Sequence, residues 1–290
     1  MHPAPFALHI AHDVPDALAA LAGAADPAVL AGGLSLVPLL RTRSRRPDVV
    51  VDVTRIAELR PATVEHGALV VGAAATQAGV LDLARRTPGH ELLAAALDSV
   101  GTDTLRRRGT LAGILAVADP TLQLAAVCGV LDTEVTLRSP AGERCLPGQR
   151  LYAEPDRTPA ELITRVRIEP TDPGAGWAFQ RVGRREIGGH LGGAAVQVSL
   201  DGDGRCSRVR VAPFVAGHDG SALDEVAGWL AGRGIDAKTA EAAGALAARL
   251  VTVRADANAT ADYRRELIRV VVRRGLLQAA RRAVTGGEHA

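Results

Sequence analysis

The stretch VLAGGLSLVPLL, Val29–Leu40, sets two adjacent glycines, Gly32 and Gly33, between two apolar segments, with Ser35 two positions on. Its spacing admits two readings. One is a plain turn from strand to helix; the other is a loop whose backbone must approach another group closely, because glycine carries no Cβ. Adjacent amides in such a loop can converge on an anion, and a following helix start adds its dipole. The surrounding residues have to decide.

Outward from this loop the first part of the chain alternates strand-like and helix-like segments. Asp13 predicts a capped helix through about Leu21, and Ala28–Leu30 a short strand. The valine-rich Pro47–Val53 reads as a buried strand, and GALVVG is followed by Thr76 as the cap of another helix. HELLAAALDSV is a third helical pattern. A second glycine site lies in RRRGTLAGILAVADPTLQLAAVCGVL, Arg106–Leu131. There Asp119–Pro120 predicts a helix start, which puts Gly109–Gly113 a few residues before a helix. TEVTLRSPAGERCLP predicts a hairpin around Pro140–Gly142, and ELITRVRIEP one more strand.

The composition loosens at Thr171–Gly176, which marks a domain boundary. Beyond it, AAVQVSL, the Asp201–Gly204 turn and CSRVRVAPFV predict an antiparallel pair. Helices follow over roughly Ser221–Ala231, Ala237–Leu250 and Ala261–Arg282, the last capped by Thr260 with an apolar seam at Leu267, Val271 and Leu276. Its Arg264, Arg265, Arg273 and Arg274 read as a solvated face.

The 290 residues suit two modest domains or three small ones, with core enough to fold without staples. With 2% aromatic residues, that core has to be built from Ala, Val and Leu. The formal net charge of +2 gives no argument for nucleic acid. Cys128, Cys145 and Cys206 are widely separated, so neither an iron–sulfur cluster nor a structural zinc is expected. No apolar run approaches the ~18 residues of a membrane span, and MHPAPFALHIAHD lacks the basic start and apolar run of a secretory signal. The expectation is a cytoplasmic, reducing setting with no metal site.

Taken in order along the chain, two glycine loops, each between a strand-like and a helix-like segment, resemble a known pair. Ala31-Gly32-Gly33-Leu34-Ser35 before LVPLL is similar to the first signature of the FAD-binding medium subunit of the molybdenum hydroxylases, the xanthine dehydrogenase and carbon monoxide dehydrogenase family. RPDVVVDVTRIAELR, GERCLP, LITRVRI, the DGDG turn and ADYRRELIRVVVRRGL resemble the same family in order, so the resemblance covers nearly the whole chain. It implies an α+β chain: a two-subdomain FAD-binding fold of the PCMH/VAO type over residues 1–170 (subdomains about 1–57 and 58–170). A C-terminal domain of the carbon monoxide dehydrogenase flavoprotein type follows over 177–290, with a three-stranded antiparallel sheet and helices. It further implies FAD held at its pyrophosphate by Ala31, Gly32, Gly33, Leu34 and Ser35 and by Thr110, Leu111, Ala112, Gly113 and Ile114. Contacts from Gln123, Leu162 and Arg181 complete the implied set, with an iron–sulfur subunit and a molybdenum-cofactor subunit as partners.

The second signature departs from the family's Thr-Ile-Gly-Gly-Asn: here it reads Thr110-Leu111-Ala112-Gly113-Ile114. Ala112 brings a methyl that would cost ~1–2 kcal/mol if its φ had to be positive. Ile114 lacks a side-chain amide worth ~1 kcal/mol as a hydrogen bond. Gln123 stands where the family carries an aspartate, Arg181 where it carries a lysine, and Gly188 where it carries a later aspartate. Two readings follow. In one, the chain is an FAD-binding electron-transfer subunit with no acid, base or nucleophile of its own. In the other, the fold has weakened or lost FAD and the cleft serves cofactor-free cyclisation, isomerisation or small-molecule binding, with a homo-oligomer in place of the partner subunits. His190, His218, Arg106–Arg108 and Tyr152 are the polar candidates for that second case.

Overall fold

The computed structural model describes residues 2–117, 119, 121–148, 150, 160–183, 190–218 and 221–287. Tyr152, Gly188 and Pro120 lie outside the described residues. The chain divides into two compact units that are not continuous in sequence. One holds Met1–Thr87, Gly101–Ala118 and Thr133–Glu169; the other holds Pro88–Val100, Asp119–Asp132 and Pro170–Ala290.

The first unit contains two sheets. A three-stranded parallel sheet has the order β1-β3-β2, from β1 (Ala7–Ile10), β2 (Pro27–Leu30) and β3 (Val49–Asp52). Its central strand buries Val50 and Val51 completely. Helix α1 (Val14–Ala22) starts where the sequence puts it: the Asp13 carboxylate accepts from the Asp16 amide at 2.8 Å, and Val14, Ala17 and Leu21 face inward. Helix α2 (Leu36–Thr42) follows the glycine loop. Pro38 sits in its first turn, where a missing amide costs no intrahelical bond.

The second sheet of this unit is five-stranded and antiparallel, in the order β4-β5-β8-β6-β7. Its strands are β4 (Ala62–Glu65), β5 (Ala68–Gly72), β6 (Thr133–Ser139), β7 (Gly142–Pro147) and β8 (Leu162–Ile168). β4 and β5 join through His66–Gly67, both at positive φ (53° and 86°), the twist that suits a two-residue hairpin. The hairpin at Pro140 forms as expected, with Ser139 opposite Gly142. Among the described residues, three further helices belong to this unit: α3 (Gln77–Arg86), the short α5 (Asp103–Arg106) and α6 (Leu111–Val117). Thr76 caps α3 through the Gly79 amide at 3.2 Å.

The second unit is built on a three-stranded antiparallel sheet, β11-β10-β9, from β9 (Gly176–Gly183), β10 (His190–Leu200) and β11 (Cys206–Val215). Leu191–Val198 of the central strand is buried without interruption, which a strand covered on both faces requires. A Cβ on Gly193 would overlap the Gln180 carbonyl and the Phe214 ring, so the strand has to be small there. The described helices of this unit are α4 (Glu91–Asp98), α7 (Gln123–Val130), α8 (Asp224–Leu230), α9 (Ala237–Leu250) and α10 (Ala261–Gly287). Their buried Ala, Val and Leu side chains, with the sheet's, make a core with few aromatics.

Three local expectations are corrected. Asp119 does not cap a helix: its carboxylate takes the Thr121 amide and hydroxyl at 2.9 and 2.7 Å, and α7 begins only at Gln123. The expected helix at Ser221–Ala231 is shorter, Asp224–Leu230. Arg264 does not belong to a solvated face. It is 2% exposed, pairs with Asp256 at 2.7 Å and donates to the Leu191 carbonyl at 2.9 Å, because α10 turns that position inward. The Thr260 cap on the Tyr263 amide, at 3.2 Å, forms as expected.

Two predictions follow from this packing. A Cβ on Gly176 would overlap the Ala279 carbonyl, where β9 meets α10. Gly176→Val should therefore lower Tm by about 5 °C, from overpacking worth ~1–3 kcal/mol; an unchanged melting curve would contradict this contact. Asp256 has its pKa lowered from 3.8 to about 2, first by the Asn258 amide and then by Arg264. A folded pKa below the unfolded value stabilises the fold above the unfolded pKa and is lost as pH falls through the folded one. Stability should thus decline as pH drops from about 4 toward 2, and Asp256→Asn should flatten that decline in melts taken across this range. Equal acid slopes in the two proteins would rule the linkage out.

Candidate functional site

The first unit contains a cavity of about 350 Å³, inside the range of ~300–1,000 Å³ usual for small-molecule sites. Both glycine segments line it: Ala31, Gly32, Gly33, Leu34 and Ser35 on one side, and Gly109, Thr110, Ala112, Gly113 and Ile114 on the other. Leu162, at the start of β8, also lines it. Leu111 does not; it is fully buried within α6. Gln123 and Arg181 belong to the second unit. There Gln123 is 5% exposed and donates through Nε2 to the Ser99 hydroxyl at 3.2 Å, while Arg181 sits on β9 opposite Gly193.

The first loop needs glycine at two adjacent positions. Gly33 adopts φ +74°, the left-handed region that a branched side chain fits badly. A Cβ on Gly32 would overlap the Arg108 carbonyl oxygen and approach the Gly109 Cα to 2.9 Å. The two loops therefore touch backbone to backbone, and only glycine permits it. Among the described residues, the amides of Gly32, Gly33, Leu34, Ser35 and Leu36 have no intrachain acceptor. Val37 is the first to find one, the Gly33 carbonyl at 3.0 Å. A run of unpaired amides on a cavity wall is the donor set that suits an anion.

The second loop is itself the start of a helix, which corrects the expectation that the helix comes later. The Thr110 hydroxyl accepts from the Gly113 amide at 3.0 Å, and the Thr110 carbonyl accepts from Ile114 at 3.3 Å. A Cβ on Gly113 would come within 2.7 Å of that hydroxyl, so glycine keeps the cap intact. Ala112 lies in the body of α6 and is not at positive φ. The backbone penalty feared for its methyl therefore does not arise.

Charged side chains at the cavity are compensated. Arg45 pairs with Asp26 at 2.7 Å and donates to the Pro27 carbonyl at 3.1 Å. Glu161 receives two bonds from Arg144, at 2.7 and 3.0 Å. An anion here would be held by backbone amides, and the donor set present fits a pyrophosphate. Of the polar candidates for cofactor-free chemistry in this unit, Arg106, Arg107 and Arg108 do not line the cavity. Among them, Arg107 pairs with Asp103 at 2.7 Å, and Arg106 donates to the Gly101 carbonyl at 3.3 Å. In the second unit, His218 bonds the Ser221 carbonyl at 3.0 Å, and burial, then Arg181, pushes the His190 pKa down.

Sequence reasoning missed Gln77, Arg45 and Glu161 as cavity residues. Gln77 is the notable one: it is 2% exposed at the first helical position of α3, and its backbone N–H donates to the Gly109 carbonyl at 2.8 Å. A polar residue directly after the Thr76 cap was the available signal. The site geometry generates a paired prediction. Gly33→Val should abolish binding of a dinucleotide at the cavity, whereas Gly23→Ala should leave it unchanged, since Gly23 ends α1 at φ −81°. Fluorescence titration with FAD separates the two; a Gly33→Val protein that binds as the wild type does would remove the loop from the site.

Two family models match most of the chain. Residues 4–171 match the model of the FAD-binding domain in molybdopterin dehydrogenase. Residues 177–279 match that of the carbon monoxide dehydrogenase flavoprotein C-terminal domain. The chain is 32% identical to subunit alpha of the 6-hydroxypseudooxynicotine dehydrogenase complex of Paenarthrobacter nicotinovorans, covering 98% of this chain and 97% of that one. Its fold superposes with TM-score 0.90 on a chain of carbon monoxide dehydrogenase from Hydrogenophaga pseudoflava, at 27% identity over 97% of this chain and 99% of the other. Against quinoline 2-oxidoreductase from Pseudomonas putida 86 the TM-score is 0.88, at 28% identity over 98% and 99% of the two chains. The two glycine loops, the three-stranded antiparallel sheet and these matches together place the chain in the family of FAD-binding medium subunits of the molybdenum hydroxylases.

Proposed function

We propose that this chain is the FAD-carrying electron-transfer subunit of a molybdenum hydroxylase-type oxidoreductase. The observation that carries the reading is the row of unpaired amides at Gly32–Leu36 on a cavity shared with the second glycine loop. Redox chemistry comes from the flavin when bound; the residues of the chain hold and orient it. Loop one offers amides to the pyrophosphate, Thr110 fixes the helix start opposite, and Leu162 supplies an apolar wall. Electrons arrive from a molybdenum-cofactor subunit through an iron–sulfur subunit, and both are the partners of this chain. The relatives include a subunit of a dehydrogenase complex, which supports such an assembly.

The alternative of a cleft turned to cofactor-free chemistry finds no support in these relatives. Two of the expected losses also weigh less than the sequence suggested. Ala112 carries no backbone strain, and Gln123 is engaged with Ser99. Cys128, Cys145 and Cys206 are all free thiols, which favours the cytoplasm as the place of assembly. Among the described residues no helix is long and apolar enough to cross a membrane.

Purification tests this directly. The chain expressed with its neighbouring subunits should emerge as a complex showing flavin absorbance together with iron–sulfur absorbance. A colourless protein returned alone, which neither takes up added FAD nor associates with the other subunits, would overturn the reading.

A further inference from the structure

Gln77 packs against the second glycine loop, next to where that loop meets the first. A Cβ on Gly109 would come within 2.5 Å of Gln77 Nε2 and 3.0 Å of Leu34 Cδ1, so Gly109 is sandwiched between the glutamine and the first loop. Gln77 holds the second loop twice: its backbone amide donates to the Gly109 carbonyl at 2.8 Å, and Nε2 donates to the Thr110 carbonyl at 3.4 Å. That second bond fixes the amide orientation, because a carbonyl accepts only from the NH₂ end. The other end is then left over. Gln77 Oε1 is buried and has no hydrogen-bond partner among the described residues, although the residue lines the cavity. A buried acceptor left unpaired bears its full desolvation penalty, so this oxygen calls for a donor that the described residues do not supply.

The chemistry of that donor is constrained. An ionised pyrophosphate carries acceptor oxygens only and cannot satisfy Oε1. The groups flanking a pyrophosphate in a flavin dinucleotide are polyols, the ribityl chain on one side and the adenosine ribose on the other, and their hydroxyls donate. We propose that Gln77 is a specificity-determining residue of the cofactor site: Nε2 locks the Thr110 carbonyl while Oε1 accepts a hydrogen bond from one hydroxyl flanking the pyrophosphate. This rests on the FAD reading above. It adds a side-chain selection for a hydroxylated neighbour to a site otherwise made of backbone amides.

The test is a protein–ligand cycle on the full-length apo chain. Wild type and Gln77→Met are titrated, by quenching of flavin fluorescence, with FAD and with FAD analogues each lacking one hydroxyl of the ribityl chain or the adenosine ribose. Gln77→Met should weaken FAD roughly ten-fold, the worth of about one hydrogen bond. One analogue should show a similar loss on wild type and no further loss on Gln77→Met, the signature of a direct pair. Whether that analogue lacks a ribityl or a ribose hydroxyl identifies the source. Gln77→Asn, which withdraws the amide by one methylene, carries the same expectation should the methionine protein fail to fold. If every analogue loses the same factor in wild type and variant, Gln77 only braces the loop and the inference is overturned. A wild-type chain that binds neither FAD nor any analogue would fail the parent reading as well, which a missing coupling alone would not do.

Discussion

The cavity lined by the two glycine loops depends on one contact: the backbone of Gly32 lying against the backbone of Arg108 and Gly109. Any side chain at Gly32 would separate the two loops. The consequences run in both directions. On one side the chain must reverse out of β2 into α2 within Ala31–Ser35, which Gly33 manages at φ +74°. On the other, Thr110 must start α6 at once, which its hydroxyl does by capping Gly113. Gln77 then ties the second loop to α3 through Gly109 and Thr110. The two loops line the cavity, with the amides at Gly32–Leu36 unspent on the protein's own carbonyls.

That construction explains how a chain with a worn second signature keeps the family's architecture. The departures change side chains, whereas the contact is between main chains. Ala112 points its cost away from the backbone, since an α-helical position accepts alanine better than glycine by ~1 kcal/mol. Ile114 lines the cavity in place of a polar residue, which makes that wall more apolar without disturbing the Thr110 cap.

Much of this was legible in the sequence wherever the determinant is local. Asp13 and Thr76 cap their helices by hydrogen bonds spanning three residues, so the caps could be read from adjacent letters. Ala31–Ser35 was identifiable as a close-approach loop once the second glycine site was set beside it. What stayed hidden depends on partners distant in sequence. Gln77 becomes a cavity residue only because Gly109 lies against it, 32 positions away. Arg264 reads as one arginine among several on a helix, but Asp256 and the Leu191 carbonyl draw it inside. Asp119 before a proline carries a strong helix-start signal, yet its carboxylate is taken by Thr121 and the helix waits for Gln123.

The central claim is that the unpaired amides of the first loop hold the cofactor's pyrophosphate. Hydrogen exchange of the peptide spanning Val29–Val37, followed by mass spectrometry with and without saturating FAD, measures those amides directly. The account predicts rapid exchange in the apo chain and marked protection of this segment on binding. FAD bound at full occupancy with unchanged exchange across Gly32–Leu36 would contradict it.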